Sequence, residues 1–204
     1  MTIDTTKGIA GLKGALRYVR AYRDQVFVVK LGGEVLGEPE VLDQVAAQIA
    51  LLSSLSIRLV VVHGGGPQAT ALSRRLGAEP RMVAGRRVTD DAALEVAKLV
   101  YAGQLNVDLL AALRAHRVQA VGLSGVDADL ITAHRRPPVQ VVHDNGTTEK
   151  VDFGHVGDVD RVDPRVLATT GTNRASRRVA STRGSTRSTS PTWPKSTFSV
   201  LPVS

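Results

Sequence analysis

Lys30 is the most informative residue for chemistry in this sequence. It lies inside the apolar run VFVVKLGG, residues 26–33, where a charged side chain must either reach solvent or meet an opposite charge. Gly32 and Gly33 follow directly, and glycine lets backbone amides approach an anion closely. A phosphate would suit both features. The alternative is a lysine on an edge strand that simply reaches water.

Glycines also end two further apolar runs. Gly64, Gly65 and Gly66 follow RLVVVH, and Gly122 lies with Gly125 in QAVGLSG. Ligands gather at the carboxyl ends of strands in an open parallel sheet, and helix amino termini after the first two turns would add free N–H groups there. The pattern predicts an anionic ligand, phosphate or carboxylate or both. Neither turn has the GxGxxG or GxxxxGK[ST] spacing, which disfavours nicotinamide dehydrogenases and P-loop nucleotidases.

Two other polar residues stand close to these features. Arg87, in AGRRVTDDAA, precedes Thr89, a helix-cap candidate with Asp90 and Asp91 in the first turn. The arginine could balance those aspartates in solvent, or it could bind a substrate carboxylate with its guanidinium group. The residue types alone leave both open. We interpret His63, before the triple glycine, as a packed structural histidine and leave it out of the catalytic set.

The spacing of apolar residues predicts an α/β fold. Helical periodicity covers residues 11–22, 36–55, 68–76 and 90–116, the last with an interruption near Gly103. Buried strands alternate with these helices, which implies right-handed crossovers and a mostly parallel sheet. After Ile131 the pattern changes to short alternation around Asp144-Asn145-Gly146, which indicates a hairpin in a small antiparallel flap.

Composition limits the classes of function. The 204 residues are 43% hydrophobic, enough for a core, and contain no cysteine, so a thiol nucleophile and a thiolate zinc site are excluded. We find neither a secretory signal nor a run of about 20 apolar residues, and predict a soluble cytoplasmic protein without membrane association. We name no metal ligands.

The net charge of +7 belongs mainly to one segment. Residues 168–204 contain six basic residues and no acidic ones, while the preceding part carries 20 basic against 19 acidic. No basic stripe with interleaved aromatics appears in that preceding part, so nucleic-acid binding is not expected there. The Ser/Thr/Arg-rich segment 168–204 has neither helical nor strand periodicity, and we predict that most of it is disordered.

Five motifs occur in an order and spacing that resemble acetylglutamate kinases of the amino-acid kinase family, over roughly residues 18–167. They are VVKLGG, VVVHGGGPQ, GRRVTD, Asn106 with VGLSGVDADLI, and DFGHVGDV. The resemblance implies a three-layer αβα sandwich with a mostly parallel open sheet. It also implies that ATP with Mg²⁺ phosphorylates the side-chain carboxylate of N-acetyl-L-glutamate in arginine biosynthesis.

The resemblance assigns roles to matching positions. Lys30 matches the catalytic lysine that bridges the transferred phosphoryl group. Arg87 matches the arginine that holds the substrate α-carboxylate. Segments 125–127 and 139–159 match the lid over the pocket, although Val126 replaces a lysine often found there. The matching glycines are Gly32 and Gly33 on the phosphates, and Gly65 and Gly66 on the substrate.

The resemblance also divides the chain. Residues 1–25 match a helical extension that could simply cover the domain or interlace subunits, so we expect a homo-oligomer, a dimer or a hexamer built through this helix. Residues 26–167 match the acetylglutamate-binding lobe. Beyond Leu167 the expected Asn-x-Asn-Ala-Asp motif and nucleotide domain are not found, which suggests a frameshift or an unrelated fused end. We therefore expect no turnover by this chain alone.

Other functions remain as alternatives. The lobe could be a non-catalytic module that binds acylated amino acids or contacts other subunits. It could also belong to a sister kinase that acts on an aminoadipate or another acylglutamate. A nucleic-acid function carried by residues 168–204 is the weakest candidate.

Overall fold

The computed structural model describes residues 5–143, 146–170 and 197–201. The strands are Val26–Leu31 (β1), Arg58–His63 (β2), Met82–Val83 (β3), Arg86–Arg87 (β4), Val121–Leu123 (β5), Ile131–Arg135 (β6), Val139–Val142 (β7), Thr148–Val151 (β8), Gly157–Val162 (β9) and Thr197–Leu201 (β10). The helices are Thr5–Tyr22 (α1), Gly33–Gly37 (α2), Pro39–Ser54 (α3), Gly66–Arg75 (α4), Asp91–Ala97 (α5), Asn106–Ala115 (α6) and Arg165–Thr170 (α7), with a π-helix at Lys98–Leu105 and a 3₁₀ turn at Asp127–Asp129.

Four strands form the central sheet in the order β1-β2-β10-β5. β1 and β2 are parallel, and β10 is antiparallel to both β2 and β5. β5 therefore runs in the same direction as β1 and β2. The predicted α/β fold with a mostly parallel, open sheet is confirmed.

The two faces of the sheet differ in burial. Leu59 and Val61 of β2 lie in the main hydrophobic core with residues of α3 and α6, and His63 is buried on the same face of the strand. Side chains alternate between faces along a strand, so Val28 points the other way and is 69% exposed. The predicted αβα sandwich has a helical layer on each face of the sheet. At β1, the face opposite the core is not covered by a helix of the described residues.

A proline divides one of the predicted helices. Residues 36–55 were expected to form a single helix, but α2 ends at Gly37 and α3 begins at Pro39. Glu38 between them is extended, with φ −110° and ψ 107°. The proline ring clashes with a helical conformation at the preceding residue, which explains the break.

The predicted helix at 90–116 is confirmed as one continuous helical stretch from α5 to α6. The expected interruption near Gly103 is a π-helix, in which the backbone is wider than in an α-helix over the eight residues Lys98–Leu105. This stretch, Asp91–Ala115, is long and apolar enough to cross a membrane. That is weak evidence, because core helices pass the same test, and Val100, Leu105 and Leu109 here are buried in the core.

The first helix leaves apolar side chains in solvent. α1 includes the predicted segment 11–22, yet Leu16 is 46% exposed and Tyr18 is exposed as well. Its end is attached to the sheet through the Tyr22 ring, which meets the Phe27 ring edge-on at 5.4 Å between centroids.

The last described strand lies in the segment that we predicted to be mostly disordered. β10 occupies a central position in the sheet, where Ser199 is paired with Val61 on one side and Gly122 on the other. Backbone N–H and C=O groups of both neighbouring strands provide partners, and this does not require a periodic sequence. The prediction for 171–196 and 202–204 lies outside the described residues.

The predicted flap is antiparallel. β6 pairs with β9, and β7 pairs with β8 from Val139↔Val151 to Val142↔Thr148, so the hairpin is confirmed. Asp144 and Asn145, which carried that prediction, are outside the described residues. Val151 packs with Val83 and Val88 in a second small hydrophobic cluster, which places the flap against β3 and β4.

Replacing Ser199 by proline tests the position of β10. Proline has no N–H for the sheet ladder, so S199P is expected to destabilise the chain by at least about 1 kcal/mol, roughly 2 °C or more in Tm. S199A keeps the N–H and serves as the matched control. Thermal unfolding followed by circular dichroism measures both. Equal Tm values for S199P and S199A would contradict the placement of β10 inside the sheet.

Candidate functional site

The first two glycine turns are in direct contact. A Cβ added to Gly33 would lie 2.9 Å from Pro67 Cδ and 3.2 Å from Gly65 Cα, so only glycine allows this approach. The Gln68 side chain joins the turns, since its Nε2 donates a hydrogen bond to the Gly33 carbonyl at 2.5 Å. As predicted, a helix begins at each turn, α2 at Gly33 and α4 at Gly66. Their free N–H groups lie at the carboxyl ends of β1 and β2.

The second turn also lies against the π-helix. A Cβ on Gly65 would be 2.2 Å from Leu105 Cδ1 and 2.9 Å from the Tyr101 ring. The φ of Gly65 is 177°, which any residue can adopt, so space rather than backbone strain requires glycine here. Burial raises the pKa of the Tyr101 phenol, and the nearby positive charge of Arg87 offsets part of that rise. Tyr101 thus lies beside both Gly65 and Arg87.

Arg87 is held by a tight hairpin and a hydrogen bond. Ala84 and Gly85 connect β3 to β4 with φ values of 46° and 72°, a turn in which both central residues are left-handed. The half-buried Arg87 donates from Nη2 to the Thr70 hydroxyl oxygen on α4. That hydroxyl donates in turn to the Gly66 carbonyl at 3.0 Å. A cation is therefore fixed beside the second glycine turn.

The flap is attached just after Arg87. The Thr89 N–H donates to the Phe153 carbonyl at 2.9 Å, and the His155 N–H donates to the Thr89 carbonyl at 2.7 Å. Gly154 has a φ of 73°, and a Cβ there would lie 2.1 Å from the Thr89 oxygen. His155 also contacts the exposed Asp91 carboxylate at 2.7 Å, which lowers the pKa of Asp91. The flap residues and the Arg87 hairpin form one connected unit.

Lys30 is close to the first turn but is not enclosed. Its side chain is exposed, and its register partner is Val62, whereas the neighbouring Leu31 is paired with His63 on the buried face. The Glu34 carboxylate covers the first turn, since a Cβ on Gly32 would lie 2.6 Å from Glu34 Oε2. A phosphate that bound Gly32 would have to displace this carboxylate, because the two carry like charge. The structure shows no contact between Lys30 and Arg87.

His63 is a packed residue, as we interpreted it. Its side chain is 1% exposed, and Nδ1 lies 3.2 Å from the Gly64 carbonyl, which can only accept a hydrogen bond. Nδ1 must then carry the proton. Burial lowers the pKa of His63, so the neutral form is favoured. In the described part of the chain Nε2 is buried without a hydrogen-bond partner.

The third glycine exit is joined to the same helical stretch. The carboxamide of Asn106 lies over Gly122, where an added Cβ would come within 2.3 Å of Nδ2. In the following loop, the buried Ser124 hydroxyl donates to Asp127 Oδ2 at 2.9 Å. This bond closes the turn that contains Gly125 and Val126. Asn106 and the VGLSG motif therefore meet in the middle of β5.

Sequence reasoning found some of these residues and missed others. The contacts bring Gly33, Gly65, Gly66 and Arg87 together, and they leave Lys30 and Gly32 at the exposed side of the first turn. The missed residues are Gln68, Thr70 and Tyr101. Gln68 belongs to the motif VVVHGGGPQ, but the sequence assigned no role to it. Thr70 and Tyr101 sit in ordinary helical patterns and gave no signal before the fold placed them next to Arg87.

The arrangement defines an α/β protein in which two packed glycine turns and a half-buried arginine lie together at the carboxyl edge of the sheet. Comparison with known proteins agrees, since residues 25–176 match the amino acid kinase family. The chain belongs to that family.

Individual relatives are similar over the same part of the chain. The acetylglutamate kinase of Myxococcus xanthus (strain DK1622) is 52% identical over 159 residues, covering 78% of this chain and 52% of the relative. The acetylglutamate kinase of Anaeromyxobacter dehalogenans (strain 2CP-C) is 56% identical over 135 residues, covering 66% and 49%. The chain thus spans about half the length of the curated relatives it matches, and the resemblance inferred from the motifs is confirmed.

Among solved structures, the chain resembles N-acetylglutamate synthase from Neisseria gonorrhoeae, solved with coenzyme A and N-acetyl-glutamate. The TM-score is 0.59 with 32% sequence identity, over 79% of this chain and 34% of that one.

Replacing Gly65 by alanine tests the contact between the turn and the π-helix. The new methyl group would collide with the buried Leu105 and with Tyr101, so we expect G65A to lower the free energy of unfolding by about 1–3 kcal/mol. Gly64 has no atom within 4 Å of an added Cβ, so G64A is the matched control and should change little. Urea unfolding measures both. Equal stability of G65A and G64A would show that the turn is not packed as described.

Proposed function

We propose that this chain forms the acceptor-binding lobe of an acetylglutamate kinase, which transfers a phosphoryl group to the side-chain carboxylate of N-acetyl-L-glutamate in arginine biosynthesis. The relatives named acetylglutamate kinase support the reaction, and the contacts around Arg87 support the binding site. Arg87, Gly65 and Gly66 bind the acceptor, Gly32 and Gly33 contact the phosphates, and Lys30 is the catalytic residue.

One observation carries most of this proposal. The Arg87 guanidinium is half-buried and is joined to the second glycine turn through Thr70. Only one of its nitrogens donates to Thr70, which leaves the other N–H groups for a carboxylate. Guanidinium and carboxylate match in geometry and form paired hydrogen bonds that are stronger than neutral ones. The α-carboxylate of the acceptor would therefore lie between Arg87 and the amides of Gly65 and Gly66.

The first turn and Lys30 serve the transferred group. Phosphoryl transfer needs positive charge and N–H donors where the negative charge is shared between donor and acceptor oxygens. Lys30 supplies a mobile ammonium group at the carboxyl end of β1, and the exposed position of its side chain leaves it free to meet a phosphate. The N–H groups at the start of α2 add further donors.

ATP with Mg²⁺ is the proposed phosphoryl donor. ATP would supply the phosphoryl group, and Mg²⁺ would neutralise part of the negative charge on its phosphates. In the part of the chain that the structure describes, no three His, Asp or Glu side chains are grouped as they would be to hold a metal ion. In this proposal the Mg²⁺ is carried by the phosphates of ATP. The residues of this lobe bind and orient the acceptor and stabilise charge.

We also propose a soluble, cytoplasmic homo-oligomer. Tyr18 and Tyr22 of α1 support it, because both are exposed and lie four residues apart on one face of the helix. Apolar side chains that lie together on a surface helix are typical of contact surfaces between subunits. A hexamer built through α1 would bury them.

A second function is favoured by one comparison. The similar N-acetylglutamate synthase was solved with N-acetyl-glutamate bound, so a lobe of this fold occurs outside kinases. The alternative is therefore a module that binds an acylated amino acid and has no phosphoryl-transfer role. A sister kinase acting on an aminoadipate or another acylglutamate would be recognised by competition between those carboxylates.

Removing the Arg87 side chain tests acceptor binding. Isothermal titration calorimetry with N-acetyl-L-glutamate should give a Kd for the wild-type chain that R87A weakens about 10- to 100-fold, because a charge-assisted hydrogen bond is lost. Arg86, the exposed neighbour in the same strand, provides the matched control. R86A should bind as tightly as the wild type. No binding by the wild type, or equal losses in both variants, would contradict the proposal.

A Lys30 variant separates the kinase from the binding module. The phosphonate analogue of N-acetyl-glutamyl phosphate carries a doubly charged group where the phosphoryl group would be. We expect K30A to weaken binding of this analogue about 10-fold or more and to leave N-acetyl-L-glutamate binding nearly unchanged. The exposed Lys150 on β8 gives the control variant K150A. If K30A affected neither ligand, the assignment of Lys30 would be lost and the binding module favoured.

A further inference from the structure

We propose that Thr70 is a positioning residue for the acceptor α-carboxylate, acting through Arg87. The inference rests on the proposed function, since it takes Arg87 as the group that binds this carboxylate. Thr70 itself would not touch the ligand. Its hydroxyl would set the direction in which the guanidinium points.

The hydrogen bonds of Thr70 have a defined polarity. A hydroxyl has one hydrogen, and that hydrogen is directed to the Gly66 carbonyl one helical turn back, at 3.0 Å. The lone pairs of the oxygen then face Arg87, whose Nη2 donates to them. Thr70 is therefore an acceptor toward Arg87. It links the guanidinium to the backbone of the second glycine turn.

Arg87 needs such support because its own strand is short. β3 and β4 contribute only two residues each, and the side chain of an arginine has many rotamers. A guanidinium already held in its binding orientation loses less entropy when a carboxylate arrives. Thr70 fixes one nitrogen of the planar group, which leaves the other N–H groups for the carboxylate.

The Thr70 hydroxyl is the polar group that holds the Arg87 guanidinium in its orientation. The side chains of Gly65 and Gly66 are hydrogen atoms, and Tyr101 has no hydrogen bond to Arg87 among the described residues. The exposed Asp91 is engaged by His155 and belongs to the flap contact. Within the described part of the chain, Thr70 alone connects Arg87 to the turn by hydrogen bonds.

The test compares two ligands and three variants by calorimetry. T70V keeps the shape of the side chain and removes the hydroxyl, T70S keeps the hydroxyl, and T132V changes an exposed threonine on β6 as a control. The ligands are N-acetyl-L-glutamate and its α-carboxamide, which lacks the charged group that Arg87 would hold. T70V should weaken N-acetyl-L-glutamate binding about 3- to 10-fold. T70S and T132V should bind like the wild type.

The α-carboxamide distinguishes positioning from a general structural role. Its affinity should be the same in T70V and in the wild type, because no carboxylate is present for Arg87 to hold. An equal loss for both ligands, or no loss for either, would overturn the role of Thr70. The proposed function would still stand after the role of Thr70 is overturned, provided that the wild type binds N-acetyl-L-glutamate and R87A does not. If the wild type binds neither ligand, both proposals fail.

Discussion

The contact between the two glycine turns is the constraint on which the rest of the site depends. Gly33 meets Pro67 and Gly65 at distances that exclude any side chain, and Gly65 in turn lies under Tyr101 and Leu105. Packing of this density transmits displacement, because no free volume can absorb an added group. The amino termini of α2 and α4 therefore face one region of space. In the proposed function, an anion at that place would meet N–H groups from both.

The position of Arg87 comes from a different set of contacts. A two-residue turn reverses the chain before it, Val83 and Val88 pack with Val151 of the flap, and Thr89 pairs with the backbone around Gly154. The arginine is thus carried by the flap side of the molecule, whereas its hydrogen bond to Thr70 joins it to α4 and the sheet. A movement of the flap would change the orientation of the guanidinium, so the proposed binding of the acceptor would depend on the position of the flap.

Burial in the sheet is uneven, and this bears on assembly. The core lies on the side of α3 and α6, while Val28 of β1 is largely exposed and Lys30 opens to solvent next to it. An apolar face of this kind costs free energy in water and is favourable to cover. The ammonium group beside it remains accessible to a phosphate. The core side of the sheet thus stabilises the lobe. The other side presents an exposed apolar surface at Val28 and the positive charge of Lys30.

The sequence by itself determined the class of fold, the three glycine turns, the flap hairpin and the candidate residues Lys30 and Arg87. These features depend on local chemistry, on apolar periodicity and on residue types that a strand end or a tight turn requires. Pro39 is the cause of the break at Glu38, but the apolar periodicity continues across this position and predicted a single helix. Tertiary structure decided what depends on residues that are distant in the chain. Thr70 meets Arg87 only because α4 lies next to β4, and Tyr101 lies beside Gly65 only because the π-helix covers that turn. β10 enters the sheet only because β2 and β5 offer backbone groups on both sides. Such contacts leave no local pattern, because a single hydroxyl, ring or peptide group is selected by its neighbours in space.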